Sequence, residues 1–599
     1  MLDLLVMLIP IILPITFLGE RLGNLLIVLI GIIYLFINKP KAYNKKFIYL
    51  NLIFIGMILI SIIYNGLYIY SLSGVAKYII LPIYYLVFKN INIKTAVETK
   101  ERNIRILLIL SAIMTLGYIL YQGVYYDARL YGSLGYANSY AVLLLLLLVI
   151  NNIVLRDKEK WTKILDVIYI LGIIYSGSRT SILLLILSVI FFKIDKGHKS
   201  NFIFESFVVA MVSYIMCEKL GLLGIIILPV LFYLYSGYKG FKDKKILYSI
   251  LSIMVIITAV LVPENSFERL RNISLTNASF LERIITFQDS INSASLLGYG
   301  IDSFQYNQFK YQTAFYDIKY IHNSVLQSVF DLGLIGGTLF VLVILYGIYL
   351  VIKREKKFNY YTFVPSIVFL HSLLDFDLVY GSIMVLTVFI STYKYDYIKD
   401  IKNEKDLLTY KLGLGIFILL LMIPIYNESI IIISTKLINN SRFEEAEKVS
   451  NLSHFNDWRI TRIKGEIYRG YYDLSKDNKY LEKMKNILEE GYNTSKDNLI
   501  LKWNLAYVYD KLGQENEALT MRMELLKDEK YYFETYKEIY KYAEDNKILS
   551  DEERKNLLSE IENVHESAIK NLNPKARYLK NQLKPELRET LIFKREGEF

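Results

Sequence analysis

The chain has 599 residues, 54% of them hydrophobic, with a mean hydropathy of +0.32, a formal net charge of +11 and a single cysteine. That apolar content is too high for one soluble globule, and Cys217 standing alone excludes an intramolecular disulfide or a cysteine-based metal site. The positive charge does not mark a nucleic-acid binder, because the basic residues gather in short segments between apolar runs.

In chain order, Met1-Leu-Asp-Leu-Leu lacks a basic start and the Gly19-Glu-Arg that follows is a poor cleavage site, so the first apolar run reads as a retained helix. A membrane span needs about 20 largely apolar residues. Such runs predict spans over 4–18, 22–37, 47–64, 75–88, 104–121, 139–155, 164–175, 181–192, 202–217, 220–236, 246–262, 332–352, 361–374, 379–393 and 412–426. Several are short, so the expected fold is an all-α polytopic membrane protein with about 12–15 transmembrane helices. Lysines and arginines concentrate at 39–46, 89–105, 156–163, 193–199, 239–245, 353–357 and 394–411, on every second connection. By the positive-inside rule the N-terminus lies in the cytoplasm, and a large loop at 263–331 lies outside the cytoplasmic membrane.

Residues 1–430 read as the membrane domain and 436–599 as an extracytoplasmic α-helical domain. In the latter, Leu505, Ala506, Tyr509, Gly513 and Ala518 fall at the spacing of a tetratricopeptide repeat, and 442–449 reads as the second helix of a more degenerate unit. An irregular helical bundle is the alternative. Either form offers a surface for a protein partner.

No Walker loop, HExxH, cysteine cluster or nucleotide fingerprint occurs, and the lone Gly298-Tyr-Gly300 reads as a turn. No metal or cofactor is expected. Four outward positions stand out. Arg129 precedes a helix, and Arg179 sits in the tight turn Ser176-Gly-Ser-Arg-Thr-Ser. Arg283 follows a capping-box pattern of Ser279 and Glu282, while His322 lies where the chain re-enters the membrane through a helix broken by glycines at 333, 336 and 337. Arginines suit a diphosphate and a histidine suits a general base. Arg129 reads equally as a snorkelling anchor and Arg179 as a helix-terminal one. Arg269 and Arg271 rival Arg283, and His322 also fits a structural loop residue. A secondary cluster comprises Asn323, His371, Asp375 and Asp377; His371 and Asp375, four apart on one helical face, are placed to pair.

The segments Arg129-Leu-Tyr-Gly-Ser-Leu-Gly-Tyr-Ala-Asn, Ser176-Gly-Ser-Arg-Thr-Ser, Arg283 with Gly298-Tyr-Gly-Ile-Asp-Ser-Phe, His322-Asn-Ser-Val-Leu-Gln with Asp331-Leu-Gly-Leu-Ile-Gly, and His371-Ser-Leu-Leu-Asp-Phe-Asp together resemble the O-antigen ligase and polymerase superfamily over roughly residues 100–395. Ala137 stands where that family often carries proline, and lipopolysaccharide ligases lack the helical tail. The resemblance implies metal-independent transfer of a glycan from undecaprenyl diphosphate to a hydroxyl of a glycan, lipid or protein acceptor at the outer face of the cytoplasmic membrane. It implies that Arg179 and Arg283 bind the diphosphate with help from Arg129, and that His322 activates the acceptor. Ligase and polymerase remain alternatives, and a lipid-linked oligosaccharide transporter is the rival from another class.

Overall fold

The computed structural model describes residues 1–13, 15–40, 43–66, 68–155, 162–196, 206–214, 277–356, 358–393, 407–545 and 549–592. The expected spans at 220–236 and 246–262, most of 202–217, and Cys217, Arg269 and Arg271 lie outside the described residues.

The described residues are helical throughout, without a strand. Among the described residues seven helices are long and apolar enough to cross a membrane: Ile15–Ile37, Lys45–Tyr64, Ile69–Lys94, Val97–Tyr125, Ala137–Val154, Ser324–Glu355 and Tyr410–Asn439. Leu2–Ile12, Arg179–Phe191 and Gly381–Thr392 are apolar but shorter. Their outward apolar residues, such as Leu52, Ile53, Leu59 and Ile60, are exposed, as is expected for helices that face lipid. These helices point to a membrane protein.

The chain divides into two compact units. The first comprises Met1–Ile55, Ala76–Ile273 and Leu339–Met422. Its centre is Ala137–Val154, whose leucine-rich run from Ala141 to Ile150 is buried on every side; a helix apolar all round belongs in a core. It packs on Thr162–Ser176 and Gly381–Thr392, and the latter packs in turn on Ala76–Lys94 and Ile15–Ile37. Asn24, buried in that last helix, fixes the start of Gly381–Thr392. Its Nδ2 donates to the Val379 carbonyl at 2.7 Å and its Oδ1 accepts from the Gly381 amide at 2.9 Å. A helix beginning inside an apolar unit must find partners for its first amides, and here the Asn24 side chain accepts from one of them while donating to the carbonyl just before the helix.

The second unit comprises Gly56–Val75, Ser274–Thr338 and Ile423–Phe599. Consecutive helices Trp458–Ser475, Asn478–Thr494, Leu499–Leu512, Glu515–Asp528, Phe533–Asp545 and Asp551–Lys570 pack each on the next. Their ends follow from sequence: Asp457, Asp477 and Asn498 cap helix starts with their side chains, Ser550 and Glu553 form a capping box, and Gly513 at φ 72° closes Leu499–Leu512. Leu505, Ala506, Tyr509 and Ala518 lie in the shared core.

This C-terminal array grips the loop before Ser324. Gln582 accepts from the Phe315 amide at 2.9 Å and donates to its carbonyl at 2.8 Å. The Asn573 amide donates to the Thr313 carbonyl at 2.8 Å, and Lys310 meets Asp497 at 2.7 Å. Phe315 stacks on Tyr532 at 4.2 Å, and Tyr306 meets Trp458 edge-on at 4.6 Å.

Candidate functional site

The expected site residues fall in both units, and each group is described on its own. In the first unit, three segments far apart in sequence meet. Val97–Tyr118 runs into a π-helical turn, Ile119–Tyr125, of the kind that often marks functional positions. Gln122 in that turn accepts from the amides of Tyr131 and Gly132, both at 3.0 Å, and so shapes the bend carrying Arg129. Arg129 is half-buried. Its Nε donates to the Ser176 carbonyl at 2.8 Å and its Nη2 to Asn138 Oδ1 at 2.8 Å. Gly177 at φ 61° makes the turn, and Arg179, also half-buried, opens the helix that follows.

Asn138 relays the network onward. Its Nδ2 donates to Asp375 Oδ2 at 2.8 Å, and Tyr136 donates to the same oxygen at 3.2 Å. Ser139 donates to Asp377 Oδ1 at 2.8 Å, while His371 Nδ1 meets Asp377 Oδ2 and His371 Nε2 lies 2.9 Å from Thr180 Oγ1. His371, Asp375 and Asp377 are all buried. The pairing expected between His371 and Asp375 is therefore replaced by one with Asp377. The helix Tyr360–Ser372 ends before Asp375, and the 3₁₀ turn Asp377–Val379 brings the later carboxylate back to the ring. Buried carboxylates persist only when hydrogen-bonded or paired, and each has its partners here.

In the second unit the helix Ala278–Asn292 is capped by Asn277, whose Oδ1 accepts from the Ser279 amide at 3.1 Å. The expected cap of Ser279 with Glu282 is thus displaced by two residues, because an asparagine side chain reaches the free amides first. That leaves Glu282 for another environment. Burial pushes its carboxyl above the ordinary carboxylate range, and the neighbouring charges of His322 and Arg283 act against that shift. Arg283 and His322 thus each lie within electrostatic reach of Glu282, and all three are half-buried. On the same helix, buried Asp289 accepts from the Thr313 amide at 3.0 Å, from Thr313 Oγ1 at 2.8 Å and from Tyr316 at 3.1 Å.

His322 is held by its neighbours. The Ile321 amide donates to Gln327 Oε1 at 2.8 Å, and Gln327 donates in turn to Asp331 Oδ1 at 2.8 Å. Asn323 Oδ1 accepts from the amides of Val325 and Leu326 at 2.9 and 3.0 Å, so its side chain is committed to capping Ser324–Glu355. The expected break in that helix occurs at Gly333, with φ 79° and ψ 176°. Gly298-Tyr-Gly300 is the turn packed against it: the amides of Tyr299 and Gly300 donate to the carbonyls of Phe330 and Asp331 at 2.9 and 3.2 Å. A Cβ on Gly333 would lie 2.1 Å from the Leu296 carbonyl oxygen. A second helix, Ile15–Ile37, breaks in the same way at Gly19, φ 71° and ψ 154°, in the gap that the sequence reading left between the spans 4–18 and 22–37.

Sequence reasoning gave no site role to Gln122, Asn138, Thr180 or Glu282, and read Glu282 as part of a helix cap. Asn138 carried a signal, being an amide at the start of an otherwise apolar helix; Gln122 and Thr180 carried none beyond polarity. Among the described residues no three His, Cys, Asp or Glu side chains gather as a metal-ligand set. Comparison of the chain with family models, with curated proteins and with solved structures finds no match.

Proposed function

We propose that the protein is a polytopic glycosyltransferase of the cytoplasmic membrane that uses undecaprenyl-diphosphate-linked glycan, with its N-terminus in the cytoplasm and its loop and C-terminal helices outside. The observation that carries this reading is the grouping of Arg283, His322 and Glu282 on the loop. A fixed cation, an imidazole and a carboxyl together supply what displacement of a diphosphate by a hydroxyl requires. His322 takes the proton of the acceptor hydroxyl as its oxygen bonds to the anomeric carbon. The bond from that carbon to the diphosphate oxygen breaks, and its electron pair leaves with the diphosphate beside Arg283. Attack opposite the leaving group inverts the anomeric centre. In the first unit Arg129, through its bonds to Ser176 and Asn138, positions the turn that carries Arg179. The helical array, read as tetratricopeptide-like, docks the acceptor or a partner protein. A ligase is the reading adopted, with a repeat-unit polymerase as its close alternative.

The test is transfer from purified lipid-linked donor by wild type, Arg283→Lys, Arg283→Ala and His322→Ala. Lysine keeps the charge but lacks the planar fork, so Arg283→Lys should retain weak turnover while both alanine variants lose it. Near-wild-type transfer by His322→Ala would remove the proposed base. The second reading, a lipid-linked oligosaccharide transporter, gains one observation: two helices broken at Gly19 and Gly333, a feature of transporters. Translocation of a fluorescent lipid-linked glycan in proteoliposomes, unaffected by His322→Ala, would favour it.

A further inference from the structure

The first unit holds a cavity of about 830 Å³, within the range of ligand pockets. Helices Lys45–Tyr64, Ala76–Lys94, Ser324–Glu355, Tyr360–Ser372 and Gly381–Thr392 supply its walls, with Phe47, Leu81, Ile348, Val368, Phe369 and Val388 among them. Its hydroxyls are already committed: Thr387, Ser391 and Thr392 donate to the carbonyls of Ile383, Thr387 and Val388 in their own helix, at 2.8, 2.7 and 2.9 Å. The charge is confined to one turn, where Lys353, Arg354 and Lys356 line the cavity at the end of Ser324–Glu355. Arg354 is engaged, its Nε donating to Glu355 Oε1 at 2.8 Å and its Nη1 to the Ser391 carbonyl at 2.7 Å. Glu355 is the one carboxylate of that turn, and no acidic side chain among the described residues pairs with Lys353 or Lys356. Both lysines are exposed, so their charge is open to a ligand. The adjoining face of the same helix is exposed at Leu342, Leu345, Tyr349 and Ile352, a spacing of three or four residues that makes a lipid-facing stripe.

We propose that this cavity binds an anionic glycerophospholipid, with its acyl chains between the helices and its phosphate at Lys353 and Lys356. An apolar space offers water too few polar partners to hold it, and leaving it empty forfeits dispersion contacts along every wall. A hydrocarbon chain supplies those contacts. The stretch from Ile344 to Lys356 covers roughly 18 Å of helix at 1.5 Å per residue, close to one leaflet's share of a hydrocarbon core about 30 Å thick. An ammonium on a flexible stem meets a phosphate as a point charge, and two lysines without acidic partners favour a headgroup with net negative charge over a zwitterionic one. The inference does not depend on the glycosyltransferase reading. Only the choice of leaflet rests on the orientation proposed above, which turns the lysines towards the cytoplasmic leaflet, where anionic lipids concentrate.

Native mass spectrometry of the full-length protein in detergent, titrated with phosphatidylglycerol, phosphatidylethanolamine, undecaprenyl phosphate or soluble glycerol phosphate, tests it. Phosphatidylglycerol should bind more tightly than phosphatidylethanolamine, and glycerol phosphate, which has no chains, should not be retained. The double variant Lys353→Gln/Lys356→Gln, confined to exposed side chains, should weaken phosphatidylglycerol binding by roughly five- to thirtyfold and leave phosphatidylethanolamine unchanged. Gly347 lines the cavity, and a Cβ there meets only Phe47, at 3.8 Å, so Gly347→Leu places a side chain in the space and should lower the occupancy of both phospholipids. Equal binding of the two phospholipids, or an anionic preference that survives loss of both lysines, overturns the proposal. Retention of glycerol phosphate as firmly as of phosphatidylglycerol overturns it as well, by showing a phosphate site that needs no chain. Preference for undecaprenyl phosphate over phosphatidylglycerol would give the cavity to a polyprenyl lipid instead. Lipid binding unchanged by Gly347→Leu would place the lipid on the outer surface of the helices and not in the cavity. Transfer of glycan decides none of these outcomes, so the catalytic reading and this one stand or fall separately.

Discussion

The two polar centres spend their charges differently. In the first unit Arg129, Asp375, Asp377 and His371 answer one another through Asn138, Ser139 and Thr180, and the histidine and both carboxylates are buried. In the second, Glu282, Arg283 and His322 are half-buried, and the charges of His322 and Arg283 act on Glu282. A closed network rigidifies what it joins, whereas a partly open group of charges leaves capacity for a substrate. Ionisable residues are therefore not equivalent evidence of chemistry; what matters is how far burial already closes them off from a substrate.

The contrast can be broken experimentally. The largest expected effect is on catalysis: His322→Ala should accumulate and insert normally yet lose transfer by about 10²–10⁴-fold, the usual contribution of a general base. Asp377→Ala should fail in the opposite sense, by leaving His371 and Ser139 without their buried acceptor. A loss of about 3–5 kcal/mol is typical for breaking a buried pair, and it should show as reduced accumulation and a lower melting temperature in detergent. A stable, inactive Asp377→Ala protein would place chemistry in the first unit after all.

A smaller effect is expected where the C-terminal array holds the loop. Gln582→Ala removes both bonds to Phe315 and leaves that backbone short of partners, at about 1–3 kcal/mol. Hydrogen exchange should accelerate over 308–318 and not over Ala137–Val154. Removal of the C-terminal helices should for the same reason impair transfer to any acceptor, small or large, because the loop loses its support.

The smallest effect is that of pH. Burial raises the carboxyls of Glu282, Asp289 and Glu529 above their ordinary values, against the charges of His322 and Arg283 in the first case and hydrogen bonds in the others; Asp528 and Asp317 reinforce the rise at Glu529. Raised carboxyls bind protons more tightly in the folded state, so their contribution is fully present below the ordinary carboxylate range. It declines as pH rises through the folded values. Protection of the second unit against exchange should therefore fall modestly as pH rises from about 4.

Much of this organisation was legible beforehand. Apolar period and length located the long apolar helices of the described residues, and the glycine at 333 announced the break. The network around Asn138 was not legible, because Asn138 and Asp375 are joined at a separation of 237 positions and hydropathy says nothing about which polar residues in apolar helices find each other. Local rules also misled in two places. Ser279 satisfies a capping pattern that Asn277 pre-empts, and helical spacing paired His371 with Asp375 although the helix stops at Ser372.

The grip of Gln582 on Phe315 also sets a timetable. The amide of Phe315 finds its acceptor 267 positions further along the chain, and ribosomes add roughly 5–20 residues per second. The loop that carries His322 and Arg283 therefore emerges roughly 13–50 s before the residues that brace it have been made. Throughout that interval Phe315 lacks Tyr532 and Tyr306 lacks Trp458, so the nascent protein is exposed to proteases at 308–318. Chains halted before residue 582 should be cleaved there, and activity should appear only once synthesis has passed that point.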